Sequence, residues 1–132
     1  MGDKNNRNIP TKIKGITGIK NISAGDSSSL AVKNDGTVYG WGYGSDGQLG
    51  FFVTGSTLNP KEITTLNGKN IKQTSCGRAF SVAISRDGKL YSFGKNNSGQ
   101  LGIMSNIPQK ITIVSVVSYG KTKTVNISNG QE

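Results

Sequence analysis

The stretch Ala24–Gly50, AGDSSSLAVKNDGTVYGWGYGSDGQLG, returns 52 residues on as Cys76–Gly102, CGRAFSVAISRDGKLYSFGKNNSGQLG. The copies align without a gap. Gly25 matches Gly77, Asp35-Gly36 matches Asp87-Gly88, and Tyr39 matches Tyr91. Trp41-Gly42 matches Phe93-Gly94, and Gly47-Gln48-Leu49-Gly50 matches Gly99-Gln100-Leu101-Gly102. Self-similarity at a fixed period of about 50 residues is the mark of a solenoid, a propeller or an array.

Working outward, Pro10, Pro60 and Pro108 each stand three residues before an isoleucine, at Ile13, Ile63 and Ile111. A short strand follows in each unit: Ile19–Ser23, Ile71–Ser75 and Val114–Ser118. A second strand alternates, with Leu30 and Val32 opposite Ala31 and Lys33, Val82 and Ile84 opposite Ala83 and Ser85, and Val125 and Ile127 opposite Asn126 and Ser128. Period-two alternation gives the two faces of a strand different surroundings. The alanines on the second face predict that it too is partly packed against a neighbouring sheet. Asp35-Gly36, Asp87-Gly88 and Asn129-Gly130 fit two-residue hairpin turns in which both central residues take positive φ. Third strands are expected at Thr37–Trp41 and Lys89–Phe93, with Trp41, Phe93, Tyr39 and Tyr91 on one face as packing between sheets. The division that follows is a frayed, Asn-rich segment over 1–9, repeats over 10–59 and 60–107, and a partial repeat over 108–132. The Gly50–Pro60 connection is longer than its counterpart and holds an apolar pair outside the repeat, Phe51-Phe52.

The chain's 132 residues are the size of one domain, and 19 of them are glycine. With only 33% hydrophobic residues, the composition favours short strands joined by tight turns over long helices. The formal net charge of +9 favours acidic partners. The sixteen basic residues are dispersed and form no run, so solvated loop charge is the first reading, although a repeat fold would still gather some of them on one rim. Nucleic acid therefore stays open as a partner on charge alone, unsupported by any reader motif. The single cysteine, Cys76, forms no intrachain disulfide and is expected to fill space. No apolar run reaches the roughly 18 residues of a membrane span, and Met1–Pro10 carries no secretory signal, so no membrane partner and a cytoplasmic location are expected.

Catalysis is poorly supplied. With no histidine, the common general base is missing. Of the seven carboxylates, Asp35 and Asp87 are accounted for by turns, Asp3 and Glu132 are terminal, and Glu62, Asp26 and Asp46 do not recur between units. Asp26 and Asp46 are the carboxylates that an enzyme reading would have to use. No cofactor and no metal site are expected. Gly40-Trp41-Gly42-Tyr43-Gly44 follows a strand but precedes no helix, so turn glycines account for it better than a phosphate loop does. The candidate binding residues are Tyr43, Phe51 and Phe52 near Lys61, where the rings would stack on a ligand or pack between sheets.

Pro…Ile…Ala-Gly…Ser-Leu-Ala-Val…Asp-Gly-Thr-Val-Tyr-Gly-Trp-Gly…Gly-Gln-Leu-Gly resembles the repeat of the regulator of chromosome condensation family, over Pro10–Gly102 and more weakly over Pro108–Glu132. The resemblance implies an all-β fold: a partial β-propeller whose blades are four-stranded antiparallel sheets, usually seven around a central channel. About two and a half repeats do not close such a ring. It would be completed by missing sequence, by copies of the chain itself, or by a different protein. Where the family pattern usually has a histidine, this chain has Ser28, Phe80 and Lys123. The family includes an exchange factor for the small GTPase Ran that also binds chromatin, and a bacterial protein inhibitor of β-lactamase. No residue here matches the exchange-carrying loops. The sequence thus reads as a non-catalytic protein-interaction module or scaffold. The alternatives are a self-assembling ring protein and a binding or accessory domain for an acidic polymer such as nucleic acid.

Overall fold

The structure is a computed structural model that describes residues 2–51 and 53–102 and the backbone of two further strands, Gln109–Val117 and Lys123–Ser128. Four strands form the first sheet in sequence order: β1 (Ile19–Ala24), β2 (Ser28–Lys33), β3 (Val38–Tyr43) and β4 (Ser56–Glu62). The second sheet contains β5 (Ile71–Cys76), β6 (Phe80–Ser85), β7 (Leu90–Gly94), β8 (Gln109–Val117) and β9 (Lys123–Ser128), also in order. All neighbouring strands are antiparallel. The chain is therefore all-β, a partial propeller of meandering blades.

The sequence repeat and the blade are out of phase. Pro60, at the start of the second repeat, lies inside β4, the outer strand of the first blade. Proline tolerates this place because an edge strand leaves one row of N–H groups unused. A 3-10 turn, Thr64–Leu66, then carries Ile63 and Leu66 into the core and leads to β5. In the third unit, β8 runs unbroken across Ile111 and Val114, where the sequence suggests a new strand, and β9 pairs with it as a fifth strand of the second sheet. Phe52, Pro108, Ser118 and Asn129-Gly130 lie outside the described residues.

The Asp-Gly hairpins differ from the expected two-residue turns. Gly36 N–H donates to Lys33 O at 3.0 Å, and Lys33 N–H to Thr37 O at 2.8 Å. Gly36 has φ +88°, but Asp35 has no positive φ. This is the three-residue loop of a turn closed by a bulged glycine, and Ser85–Lys89 repeats it with Gly88 at φ +84°. The aspartate serves through its side chain: Thr37 N–H donates to Asp35 Oδ1 at 3.0 Å. One glycine in the left-handed region is enough, so Asp35 keeps ordinary backbone geometry.

The core lies between the two sheets. The first blade contributes Leu30, Val32, Val38, Leu49 and Ile63, and the second Ile71, Ala83, Tyr91 and Phe93. Alternation in β2 sends Leu30 and Val32 toward the second blade, and alternation in β6 returns Ser81 and Ala83. Each large side chain buried here contributes roughly 1.5–3 kcal/mol. Hydrogen bonds stitch the seam. Ser23 Oγ and Thr74 Oγ1 lie 2.8 Å apart, Thr74 N–H donates to Asn21 Oδ1 at 3.0 Å, and Ser81 Oγ donates to Gln48 O at 2.8 Å. Gly25 sits against the Gly77 carbonyl so closely that a Cβ would collide with it. Cys76 fills space as expected, half-buried with its sulfur 3.2 Å from Ser23 Oγ.

Candidate interaction surfaces

The blade topology sorts the loops to two ends. One end carries the β1–β2 and β5–β6 turns and the glycine-rich segments after β3 and β7. The other carries the β2–β3 and β6–β7 hairpins and the connection into β5.

At the first end, a cleft of about 580 Å³ crosses the junction of the blades, lined by Asp26, Tyr43, Asp46, Arg78, Phe80, Lys95 and their neighbours. Asp26 and Arg78 are aligned positions of the repeat. They occupy neighbouring turn tips, with Arg78 Nε 3.5 Å from Asp26 Oδ2. Both side chains are exposed, so the pair shapes the surface and adds little stability. Tyr43 is 40% exposed and is one of the four large hydrophobic residues in the open among the described residues. Asp46 lies in the turn below, its N–H donating to Gln48 Oε1 at 3.0 Å. An ion pair, a free cation at Lys95, an exposed phenol and amide side chains suit a polypeptide segment with polar and aromatic groups.

The expected grouping of Tyr43, Phe51, Phe52 and Lys61 is only partly assembled. Lys61 Nζ lies 4.8 Å from the centre of the Phe51 ring, a cation–π contact. Phe51 also packs against the core cluster, so its ring is a structural element as well as a surface. Tyr43 belongs to the junction cleft, which neither Phe51 nor Lys61 lines. Phe52 lies outside the described residues. The sequence signal for the cleft was present but went unread: opposite charges at aligned positions, Asp26 and Arg78, become neighbours when equivalent turns sit side by side.

At the second end, Gly68, Lys69, Asn70, Arg86, Asp87, Lys89 and Tyr91 surround a polar depression of about 480 Å³. Arg86 reaches across the junction to donate to Asn34 O at 3.0 Å. A short hydrogen bond from the Ser85 hydroxyl holds the Asp87 carboxyl below its ordinary value, with Lys89 assisting. Burial pushes the Tyr91 phenol up. At neutral pH the depression therefore sets three cations against one carboxylate. Some of the dispersed lysines and arginines do meet on one rim.

The third surface is the outward face of the first blade. Ile13, Ile16, Ile19, Ile22 and Trp41 line an apolar groove of about 560 Å³ there, with Thr11, Lys12, Ala24 and Ser29. Ile22 is 73% exposed. Among the described residues there is no group of three or more His, Cys, Asp or Glu side chains placed to hold a metal, and no helix long and apolar enough to cross a membrane.

Residues 35–84 and 87–130 match the family described as "Regulator of chromosome condensation (RCC1) repeat", and a second description of the same repeat matches residues 19–48 and 71–100. Among relatives, the chain is 44% identical over 90 residues to the probable E3 ubiquitin-protein ligase HERC6 of Homo sapiens, covering 67% of this chain and 9% of that one. It is 36% identical over 104 residues to the ultraviolet-B receptor UVR8 of Arabidopsis thaliana, covering 77% of this chain and 24% of the receptor. The chain thus spans a quarter or less of these relatives. Human WBSCR16 superposes on 76% of this chain and 26% of its own, with a TM-score of 0.69 and 27% identity. Prp20p of Saccharomyces cerevisiae superposes on 92% of this chain and 27% of its own, with a TM-score of 0.66 and 24% identity. Its structure was described with its binding to Gsp1p and histones, and yeast RCC1 (Prp20) has also been solved bound to Kap60. The duplicated stretch, the two stacked meanders and these matches have one reading: the chain belongs to the regulator of chromosome condensation repeat family.

Proposed function

We propose that this chain is a non-catalytic protein-interaction module, a propeller scaffold that binds a protein partner through the cleft at the blade junction. The observation that carries the reading is that cleft. It joins side chains from both blades and presents Tyr43 beside the Asp26–Arg78 pair. The protein partners named for Prp20p support a protein as the ligand. Of the carboxylates an enzyme would need, Asp26 is engaged in a surface ion pair with Arg78, which supports a non-catalytic role. The proposal places the module in the cytoplasm, on the single cysteine and the lack of a long apolar run. The test is capture by immobilised protein from source-cell lysate, comparing wild type with Tyr43→Ala and Arg78→Glu. The proposal predicts a discrete protein retained by wild type and lost by both variants. Retention of no macromolecule, or retention indifferent to both changes, would overturn it.

A second reading has its own observation. The depression around Lys69, Arg86 and Lys89 favours an acidic polymer such as nucleic acid on the opposite end. It predicts binding to a mixed-sequence oligonucleotide that falls steeply with salt and weakens on Arg86→Ala. Salt-insensitive binding, or none at low salt, would contradict it. A third reading, a self-assembling ring builder, draws its support from the open face of the first blade.

A further inference from the structure

We infer that the groove on the outward face of the first blade is a docking site for a second copy of this chain, which inserts the far face of its second blade. This names the partner in the ring-builder reading and rests on it.

The interface inside the chain shows what such a groove receives. Ile19, Ile22, Ser29, Ala31, Tyr39 and Trp41 align with Ile71, Thr74, Ser81, Ala83, Tyr91 and Phe93. Every one of the second set is buried against the first blade. In the first set, Ile22 is 73% exposed where Thr74 is 4% exposed. Ser29, Tyr39 and Trp41 are half-buried where Ser81, Tyr91 and Phe93 are closed off. The flanking segment is repeated as well. Ile13 and Ile16 border the groove as Ile63 and Leu66 border the internal interface. The groove is thus the receiving half of the internal interface, with nothing described in the place that Leu30, Val32 and Val38 fill inside.

The inserting half is present too, at the opposite end of the molecule. Leu30, Val32 and Val38 align with Val82, Ile84 and Leu90. Ser81, Ala83 and Ser85 of β6 face the first blade, so Val82 and Ile84 point the other way. Leu90 pairs with Ile84 and shares its face. All three are half-buried, whereas their counterparts in the first blade are at most 1% exposed. One chain therefore carries both sides of a single heterologous interface, on opposite faces, in the polarity that makes copies join head to tail. Such a contact covers the apolar side chains that the described residues leave open or half-buried on the two faces.

The test is solution mass by light scattering after size exclusion on the 132-residue chain, with two variants. Ile22→Asp charges the receiving groove at an already exposed position. Val82→Asp charges the inserting face. The wild type is expected to elute as one discrete species of at least two chains, and each variant alone as a single chain. An equimolar mixture of the two variants is expected to give a species of two chains, because each keeps the half that the other has lost. A wild type of one-chain mass at tens of micromolar would overturn the inference whether or not either variant folds. A mixture of folded variants, checked by far-ultraviolet circular dichroism, that stays at one-chain mass would also overturn it, because a face-to-face contact between identical surfaces would not be rescued by mixing. Tyr43→Ala is expected to leave the mass unchanged. Loss of partner capture at the junction cleft is therefore read separately from loss of assembly.

Discussion

The two blades are built from nearly the same sequence, yet they keep different residues dry. In the first blade, Leu30, Val32 and Val38 are closed off and Trp41 and Tyr39 are partly open. In the second blade, Tyr91 and Phe93 are closed off and Val82, Ile84 and Leu90 are partly open. The pattern inverts because, among the described residues, each blade has one packed neighbour, on opposite sides. Burial at a repeat position is a property of the neighbour as much as of the residue. A repeat unit brings two apolar faces, and the described residues of the two blades pack the inner pair against each other.

The largest expected effect falls on aligned aromatic residues. Phe93→Ala should destabilise the chain by about 3–5 kcal/mol, since its ring is 3% exposed in the internal core. Trp41→Ala, at the equivalent place on the open face, should cost less than half of that in dilute solution. Urea denaturation of both variants in the Val82→Asp background checks the difference. Equal losses would break the comparison.

Next come two aligned glycines. Gly50 has φ +74°, and a Cβ there would lie 2.8 Å from an Ile63 methyl. Gly102 has φ +70°, with no described residue within 4 Å of the same point. Gly102→Ala should cost about 1–2 kcal/mol from the left-handed backbone alone. Gly50→Ala should cost more, by about 1–3 kcal/mol of overpacking. Thermal midpoints of the two variants should fall in that order, and the reverse order would contradict the internal packing.

A smaller contrast concerns two buried hydroxyls. Ser81 Oγ donates to Gln48 O across the junction, and Ser81→Ala should cost about 1–2 kcal/mol. Ser28 is 4% exposed and its hydroxyl has no hydrogen-bond partner among the described residues. It stands where the family pattern usually has a histidine. Ser28→Ala should leave stability unchanged or raise it, as removing an unpaired buried hydroxyl does. A clear loss on Ser28→Ala would mean that the hydroxyl is paired in solution.

The smallest effect is pH dependence at the hairpins. The Ser85 hydroxyl lowers the Asp87 carboxyl from 3.8, and Thr37 N–H lowers Asp35 from the same value. A depressed carboxylate gives stability above its unfolded value that is lost as pH falls through the folded one. Asp87→Asn should therefore lower stability slightly at neutral pH and leave it nearly unchanged at low pH, so that the loss below about pH 4 is slightly flatter. An unaltered acid limb would remove the role assigned to that bond.

Much of the fold was legible because repeats expose themselves. The strands around Leu30, Val82, Tyr39 and Tyr91 follow from alternation, and the aromatic packing at Phe93 follows from recurrence. Turn chemistry was read less well. Asp-Gly suggests a two-residue turn, but Asn34 and Arg86 join the loop and only the glycine takes positive φ. The binding residues were the hardest to read. Phe51, Lys61 and Tyr43 are close in sequence, but Phe51 and Lys61 meet each other while Tyr43 stands at the junction cleft. Composition does not record which end of a blade a loop occupies. Nor does it show that Asp26 and Arg78, 52 residues apart, meet at neighbouring turn tips.

The chain has one tryptophan, Trp41, and it lines the receiving groove. Its emission therefore reports directly on whether that face is covered. The decisive comparison is the emission maximum of the wild type against Val82→Asp at the same concentration. That substitution lies on the opposite face of the other blade, so within one chain it is remote from Trp41. The account predicts bluer emission in the wild type, with Val82→Asp shifted to the red. Identical emission from two folded proteins would contradict it.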